Sequence, residues 1–412
     1  MKKNKLIPAS EYCKSVFDGT HDTPKPCTKG HKLLTSKNIL NGELDKTNAY
    51  YISEEDYNAI NIRSKVHQND ILFSMIGSVG NVCLIKENDS AIDFAIKNMG
   101  VLSCGEKEKA VFLYYYLQSP FAKKTIESYL NGAVQKFLGL ERLRTFPVPE
   151  YSDDMQKIAA VLSSLDDKIA LNRRMNAKLE QMAKRLYDHW FVQFDFPNAD
   201  GKPYKASGGK MEYNEVLKRE IPAGWEVGNL YDIAEYVNGL ACQNYRPKAE
   251  EAFLPVIKIR EMNEGISSDT EKVSANIPEK YKIFDGDILF SWSASLEVMI
   301  WAGGYGGLNQ HIFKVNPKSY FSKEYIYQQL QSYLINFQKM AEARKTTMGH
   351  ITSDHINQSR VLLPPKEIIS AFNEKTLSIF NYQLSIEKET QKLTALRDRL
   401  LPLLMNGQVE VK

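Results

Sequence analysis

The feature that most constrains this chain is a long-range internal repeat. The string DILFS occupies residues 70–74 and again residues 287–291, about 217 positions later. One five-residue match can arise by chance, but the sequence around it repeats as well. The other corresponding segments are 16–25 with 237–248, 33–42 with 256–265, Asn98 with Asn309, and the proline-containing 146–150 with 361–367. This period is too long for a solenoid and indicates duplication of a whole domain with a following helix, which suits a ligand that has two parts.

Each copy has the same predicted order of elements. Short apolar runs separated by turn residues predict strands near residues 32, 70, 81 and 99, and in the second copy near 254, 287, 297 and 311. A helical stretch follows in each copy, at 110–130 and at 323–343. We therefore predict an α/β (α+β) fold with a mostly antiparallel or mixed sheet in each of two tandem domains. The predicted boundaries are 1–150 for domain 1, 151–193 for a long central helix, 194–220 for a flexible linker, 221–365 for domain 2 and 366–412 for a long C-terminal helix.

In two segments, 154–191 and 367–401, apolar residues recur at seven-residue spacing. Neither has an internal glycine or proline, and Pro402 is expected to end the second helix. About five sustained heptads exceed what one domain face needs, so they predict two long helices that pair antiparallel as a coiled coil, in a pseudo-twofold arrangement. The alternative is two independent amphipathic helices. Asn172 either fixes the register of the pair or lies at the edge of the seam. The predicted stripe consists of Ile158, Leu165, Asn172, Leu179, Leu186, Phe372, Ile379, Ile386, Leu393 and Leu400.

Composition restricts the environment more than the activity. The 412 residues give a prior of two to three domains, and the net charge of +3 is too small to indicate a ligand. The N-terminus has no apolar run, and no stretch of about 18 apolar residues exists, so neither a signal peptide nor a membrane span is expected. The cysteines lack CxxC spacing, which predicts reduced thiols in the cytoplasm and no structural zinc or other metal site. They are Cys13, Cys27, Cys83, Cys104 and Cys242.

The motifs that accompany covalent chemistry are absent from the sequence. No GxGxxG opens a βα unit, and the GYGG at 304–307 has the wrong spacing for a dinucleotide loop. No P-loop, GxSxG or HExxH occurs. The NPPY-type loop and the glycine-rich adenosylmethionine loop of amino methyltransferases are missing as well. We therefore predict a binding protein with no catalytic residues and no cofactor of its own.

Basic and polar loops recur at matching places in the two copies. Lysine and arginine neutralise phosphates, and arginine, glutamine, asparagine and histidine can also bond base edges. Such a loop is by itself a weak signal, but its recurrence favours DNA. The lysines at 25, 136, 248 and 345 are assigned to phosphates, and Gln135, Arg142, Gln243 and Arg246 to base edges. The full set of candidate DNA-binding residues is Thr20, His21, Thr23, Lys25, Lys37, Gln135, Lys136, Arg142, Arg144, Gln243, Arg246, Lys248, Arg260, Arg344, Lys345 and His350.

The whole chain resembles the specificity subunits of type I restriction–modification systems. The features that carry the resemblance are the DGTHDTPK turn at 18–25, both DILFS strings, the helical segment 163–191, PAGWEV at 222–227 and LRDRLLPLLMNGQV at 396–409. The first copy lacks a PxGW before its first strand, so its exact start is open.

The resemblance implies two target recognition domains, each of which reads one half of a bipartite, asymmetric site in double-stranded DNA. It also implies helices that set the spacing of the domains and dock two methyltransferase (modification) subunits, and further restriction/translocase subunits that join the complex. Methylation and cleavage, with adenosylmethionine and ATP, would then belong to those partners. The rivals from other classes are a coiled-coil scaffold with two protein-binding domains and a DNA-modifying enzyme that acts alone.

Overall fold

The structure, a computed structural model, describes residues 5–40, 42–130, 136–293, 295–343, 351 and 353–411. It divides into two compact units, one of Met1–Lys168 with Leu393–Lys412 and the other of Ile169–Lys392. No helix within the described ranges has the length and apolarity needed to cross a membrane. The predicted domain boundaries are a finer division than these units and remain predictions.

The first copy combines short strands with helices. Its strands are β1 (Leu6–Pro8), β2 (Ser15–Asp18), β3 (His31–Thr35), β4 (Ile39–Leu40), β5 (Glu43–Leu44), β6 (Tyr50–Ile52), β7 (Ile71–Ser74), β8 (Val82–Leu84), β9 (Phe94–Lys97), β10 (Met99–Ser103) and β11 (Pro147–Pro149). Its helices are α1 (Ala9–Tyr12), α2 (Glu54–Ser64), α3 (Lys107–Gln118), α4 (Pro120–Leu130) and α5 (Leu140–Arg144). The helical stretch predicted at 110–130 is thus two helices, because Pro120 cannot donate the backbone hydrogen bond that would continue α3.

The long helix α6 (Asp153–Tyr187) follows, and a π-helical turn (Asp188–Val192) extends it. Aspartates in its first turn and Lys184 and Arg185 in its last complement the helix dipole. The strands of the second copy are β12 (Met211–Asn214), β13 (Arg219–Pro222), β14 (Glu226–Asn229), β15 (Ala234–Asn238), β16 (Phe253–Ile257), β17 (Lys272–Ser274), β18 (Lys282–Ile283), β19 (Ile288–Ser291), β20 (Glu297–Ile300), β21 (Gly306–Leu308), β22 (Ile312–Pro317) and β23 (Arg360–Leu363). Its helices are α7 (Leu230–Ile233), α8 (Ile259–Glu264), α9 (Lys323–Ala343), α10 (Ser353–Gln358) and α11 (Lys366–Met405).

The sheet topology repeats between the copies. The first copy has a four-stranded antiparallel sheet in the order β2-β10-β7-β8, and the second has β15-β22-β19-β20. Beside it, β3 pairs antiparallel with β6 and parallel with β9, just as β16 pairs antiparallel with β17 and parallel with β21. The strands that close each copy also match, since β1 pairs with β11 and β14 with β23. The predicted duplication and mixed sheet are therefore confirmed.

The DILFS strings are the central strands of these sheets. All four residues of β7 and of β19 are buried. Ile71 and Phe73 face a core shared with α3, whereas Leu72 faces a second core with β3 and β9. Ile288 and Phe290 are likewise separated from Leu289. A strand buried on both faces needs an uninterrupted apolar run rather than alternation, which explains the repeated ILF.

In each unit α6 and α11 contact each other in antiparallel order. In the first unit, Ile158 and Leu162 cluster with Leu404. Arg397 Nη1 lies 2.8 Å from Asp166 Oδ1, and the same carboxylate accepts from Tyr115 Oη at 2.7 Å.

In the second unit, Asn172 Nδ2 donates to Glu389 Oε2 at 2.8 Å and Gln383 Nε2 to Glu180 Oε2 at 2.9 Å, and Trp190 packs on Phe372. The antiparallel coiled-coil pairing is as predicted. Of the predicted stripe, Ile158, Asn172, Phe372 and Ile386 are buried, and Leu165, Leu179, Leu186, Ile379, Leu393 and Leu400 are half-buried.

Two sequence-based expectations are corrected here. Helix α11 does not stop at Pro402 but continues to Met405. The segment predicted as a flexible linker is packed into the second unit, because Phe194 and Phe196 are buried and both contact Trp225. Further along the chain, β12 and β13 pair as a hairpin. The glycines and prolines of this segment therefore form ordered turns and not an unstructured spacer.

Candidate nucleic-acid interface

The candidate loops of the first copy leave one end of its four-stranded sheet. Strand β7 ends and β10 begins at the paired residues Ser74 and Met99. The next residue of β10 pairs with Asp18, the last residue of β2. The chain after β2, the chain after β7 and the chain before β10 therefore emerge together. The segment after 135 joins them, since Leu138 N donates to Met75 O at 2.9 Å.

The turn after β2 and the equivalent turn after β15 in the second copy each require a glycine. A Cβ on Gly19 would lie 2.4 Å from Ile96 O, and a Cβ on Gly239 would lie 2.1 Å from Asn309 O. Isolated parallel bridges follow at once, Thr20 with Lys97 and Leu240 with Asn309. These bridges make Lys97 the structural equivalent of Asn309 in the second copy. The sequence alignment of Asn98 with Asn309 was therefore wrong by one residue. The loops before β10 and β22 differ in length, which the sequence alignment could not register.

His21 is held at the centre of this turn. Its Nε2 lies 2.9 Å from Asp18 Oδ2 and its Nδ1 lies 2.9 Å from Asn98 Oδ1. Arg63 Nη2 approaches the other Asp18 oxygen at 3.6 Å, and Ser64 Oγ donates to Asp18 O at 2.9 Å. Both ring nitrogens of His21 are thus engaged within the protein, which fits a residue that orders the turn better than one that bonds a base.

The other candidates on this turn are two threonines that form hydrogen bonds within the protein and one exposed lysine. Thr20 is buried, and its hydroxyl accepts from Asp22 N at 3.1 Å. Thr23 Oγ1 accepts from Lys97 Nζ, a cation that the sequence analysis did not select. Lys25 is exposed. The order of the turn thus rests on its polar residues, while Lys25 projects from it.

Lys37 is brought to the same end of the sheet. It lies on a 3-10 turn (Ser36–Asn38) whose Ser36 Oγ donates to Asn98 O at 3.2 Å. The turn is closed by Asn38 Oδ1, which accepts from Thr35 N at 2.8 Å. In the second copy Glu261 Oε2 accepts from Lys258 N at 3.2 Å in the same way. This shared cap supports the predicted equivalence of Lys37 and Arg260.

The fold separates the three candidate residues between 136 and 144. Lys136 is exposed at the sheet end, next to the exposed Phe137. Arg142 lies over the Tyr129 ring at 5.3 Å, and Arg144 donates to Val16 O at 3.2 Å and pairs with Glu141. Arg144 thus ties α5 to the middle of β2 and is not brought to the other loops. Gln135 lies outside the described residues.

In the second copy a 3-10 turn (Cys242–Tyr245) presents the candidates. Cys242 is buried and anchors the turn through Leu308 O, with Sγ 3.6 Å away. Gln243, Arg246 and Lys248 are exposed around it. Arg344, Lys345 and His350 lie outside the described residues.

Arg260 is less available than its neighbours in this copy. Its guanidinium is 2.7 Å from the buried carboxylate of Glu261, which raises the pKa of the arginine. Lys258 Nζ lies 2.5 Å from Glu271, and that hydrogen bond lowers the pKa of the Glu271 carboxyl. Both cations of this turn are therefore paired with acids of their own domain.

Sequence reasoning missed an aromatic group at the second sheet end. Trp292 follows β19 as Met75 follows β7, and Ile351 N donates to Trp292 O at 2.9 Å. The Trp292 indole donates to Asn238 Oδ1 at 3.1 Å, and its ring lies 5.6 Å from that of His311. The signal was available, because a tryptophan directly after DILFS stands where the first copy has methionine.

The aspartate of each DILFS string has a structural task. Asp70 Oδ2 accepts from His67 N at 2.8 Å, and Asp287 Oδ2 accepts from Phe284 N at 2.9 Å. Each closes the turn that leads into the central strand. Burial raises the pKa of the Asp70 carboxyl. In the part of the chain that is described, no group of three or more His, Cys, Asp or Glu is placed to hold a metal ion.

The protein thus consists of a duplicated domain with an equivalent candidate binding surface at the same sheet end of each copy. The sequence model of the family described as "Type I restriction modification DNA specificity domain" matches residues 22–181 and again 222–396. The chain belongs to this family.

Individual relatives agree with the family match. The chain is 28% identical over 329 residues to the type I restriction enzyme MjaIX specificity subunit of Methanocaldococcus jannaschii, an alignment that covers 76% of this chain and 73% of the relative. It is 24% identical to the HindI specificity subunit of Haemophilus influenzae, with 84% and 88% covered. The crystal structure of the type I restriction–modification S subunit from M. genitalium has the same fold, with a TM-score of 0.58 over 98% of this chain and 97% of that one, at 14% identity.

Proposed function

We propose that this chain is the sequence-specific DNA-binding subunit of a type I restriction–modification complex, in which each domain reads one half of a bipartite, asymmetric site. The observation that carries the proposal is the loop cluster at the same sheet end of both copies. Each cluster has ordered turns with exposed cations, Lys25 and Lys136 in one and Arg246 and Lys248 in the other. The two clusters share few side chains, so the two half-sites should differ in sequence.

The long helices are proposed to set the spacing of the two half-sites and to dock two methyltransferase subunits. Helix α6 has 35 residues. At about 1.5 Å per residue it is roughly 50 Å long, the right order for one to two DNA turns of about 34–36 Å. Exposed apolar side chains along the pair, among them Leu171, Met182, Leu377 and Leu396, support a docking role.

The chain itself is proposed to be non-catalytic and to act in the cytoplasm with double-stranded DNA, modification subunits and restriction/translocase subunits as partners. Adenosylmethionine and ATP would bind to those partners. Methyl transfer to DNA by the purified chain with adenosylmethionine, in the absence of any partner, would contradict this proposal.

A salt-dependent binding assay tests the DNA-binding function. The target is first identified by methylome sequencing of cells that carry the complete system, and a duplex with that site is titrated with the complex at several salt concentrations. Lys25→Ala and Lys248→Ala should each weaken binding to all sequences and lower the salt slope by about one. Lys202→Ala, which removes an exposed lysine outside both clusters, is the matched control. Equal effects of all three variants would contradict the assignment.

A further inference from the structure

The first copy carries an exposed apolar pair at the sheet end where its loops meet. Ile76 and Phe137 form an antiparallel bridge, and they are 40% and 59% exposed. Residues directly opposite in an antiparallel pair project to the same face, with Cβ atoms about 4.5–5.5 Å apart. The two side chains therefore form one continuous apolar surface.

This surface rests on a rigid base. Leu138, the residue after Phe137, is buried and donates its N–H to Met75 O at 2.9 Å. On the other side, Ser74 Oγ donates to Ile76 O at 3.3 Å. The pair is thus held by the end of the central strand, so its exposure is a fixed property of the domain.

The surroundings of the pair fit a nucleic acid better than an apolar protein surface. Lys136 precedes Phe137 and is exposed, and Lys97 and the His21 turn leave the same sheet end. Of the two carboxylates on this turn, Asp18 already faces His21 and Arg63. The exposed Asp22 is outnumbered by Lys25, Lys97 and Lys136. The phosphate backbone would thus be attracted to the cations around the pair. A base edge that carries an apolar group would suit the apolar pair itself.

Among the residues that the structure describes, the second copy does not repeat this surface. The repeat places Ser293, which is buried, where the first copy has Ile76. The neighbouring Trp292 donates its indole N–H to Asn238. Because the buried Ser293 cannot supply the apolar surface that Ile76 gives the first copy, the pair would distinguish one half-site from the other.

We propose that Ile76 and Phe137 contact the 5-methyl group of a thymine in the half-site read by the first domain, an inference that rests on the proposed function. The thymine methyl is the apolar feature of the major groove, and phenylalanine is among the side chains that contact it.

The test is a cycle between a base and a side chain, measured with the complex of this chain and its methyltransferase subunits. Each thymine of the methylome-defined site is replaced in turn by uracil, which removes only the methyl group. In the wild type one such replacement in the first half-site should weaken binding about fourfold, the equivalent of one buried methyl group. In Phe137→Ala the same replacement should have no effect, and in Phe137→Leu it should keep part of its effect. Phe121→Ala, which removes a phenylalanine of the same domain that is 47% exposed, is the control and should behave as the wild type.

Several outcomes would overturn the inference. Uracil could be silent at every position of the first half-site, or Phe137→Ala could bind as tightly as the wild type. Weaker binding by Phe137→Ala with an unchanged uracil effect would point to a wedge between bases or to a structural role. Failure of the wild-type complex to bind the methylome-defined duplex is a different result, because it would refute the proposed function itself.

Discussion

The aspartates of the two DILFS strings occupy equivalent turns but have different neighbours. Asp287 lies 3.4 Å from Lys314 Nζ and 3.6 Å from Lys323 Nζ, whereas burial without such a partner raises the pKa of Asp70. Alanine at either position should cost about 1–3 kcal/mol, because the turn that leads into the central strand loses a hydrogen-bond acceptor. Asparagine keeps an acceptor and removes the charge. We therefore expect Asp70→Asn to be milder than Asp287→Asn in chemical denaturation.

The pH dependence gives this prediction a second readout. The folded state holds a proton on Asp70 more tightly than the unfolded chain, whose carboxyl has a pKa of about 3.9. The wild type therefore gains stability as the pH falls through the raised folded pKa toward the unfolded value. The side chain introduced by Asp70→Asn does not titrate, so the stability difference should shift in favour of the wild type over this range. A pH-independent difference would show that the charge at Asp70 is not disfavoured by burial.

For single residues, the sequence predicted which positions of the two copies are equivalent better than it predicted what each side chain contacts. The equivalence of Lys37 with Arg260 followed from the alignment of 33–42 with 256–265. The hydrogen bonds of both His21 ring nitrogens could not be predicted in this way. One partner, Asn98, lies 77 residues away in the sequence, and the sequence does not indicate that the two residues are close in space. Arg144 was selected for its charge, but its guanidinium bonds Val16 O across the fold. Charge can be read from a sequence, whereas the partner that satisfies it depends on tertiary structure.

At the scale of elements, the heptads were the most reliable signal. They place Ile158, Asn172, Phe372 and Ile386 in buried positions on paired helices. Burial beside this stripe is harder to predict, because a helix turns about 100° per residue and a shift of one residue changes the face. Met182 is 55% exposed, and the adjacent Ala183 is buried instead. The packed segment at 194–222 was missed, because its glycines and prolines are equally typical of an ordered turn and of a spacer.

Helix pairing is tested by one substitution inside the seam and one outside it. Ile386 is 4% exposed and Leu377, on the same helix, is 44% exposed. Ile386→Asp should lower the free energy of unfolding by several kcal/mol, since an unpaired carboxylate would be buried. It should also reduce co-purification with the methyltransferase subunits. Leu377→Asp should leave the melting temperature nearly unchanged, and equal melting temperatures for the two variants would refute the pairing.

The duplication determines what can be predicted for the whole molecule. It predicted the repeated fold, and the repeated sheet order confirms it. It cannot predict the bases that are read, because the proposed DNA-binding surface lies in the loops where the copies differ most. Ile76 and Phe137 in one copy and Trp292 in the other arise from the same region of the repeat with different chemistry. Two domains that share a fold but differ in the side chains of their loops should each recognise DNA independently of the other.

Independent reading is the last prediction, and an exchange of domains tests it. Residues 1–150 are replaced by the same region of a relative with another target, and the methylome of cells with the complete system is sequenced. Only one half of the recognised site should change, and the spacing between the halves should stay the same because α6 and α11 are kept. Replacing 221–365 instead is the matched control and should change the other half. A change in both halves, or in neither, would show that the two domains do not read separately.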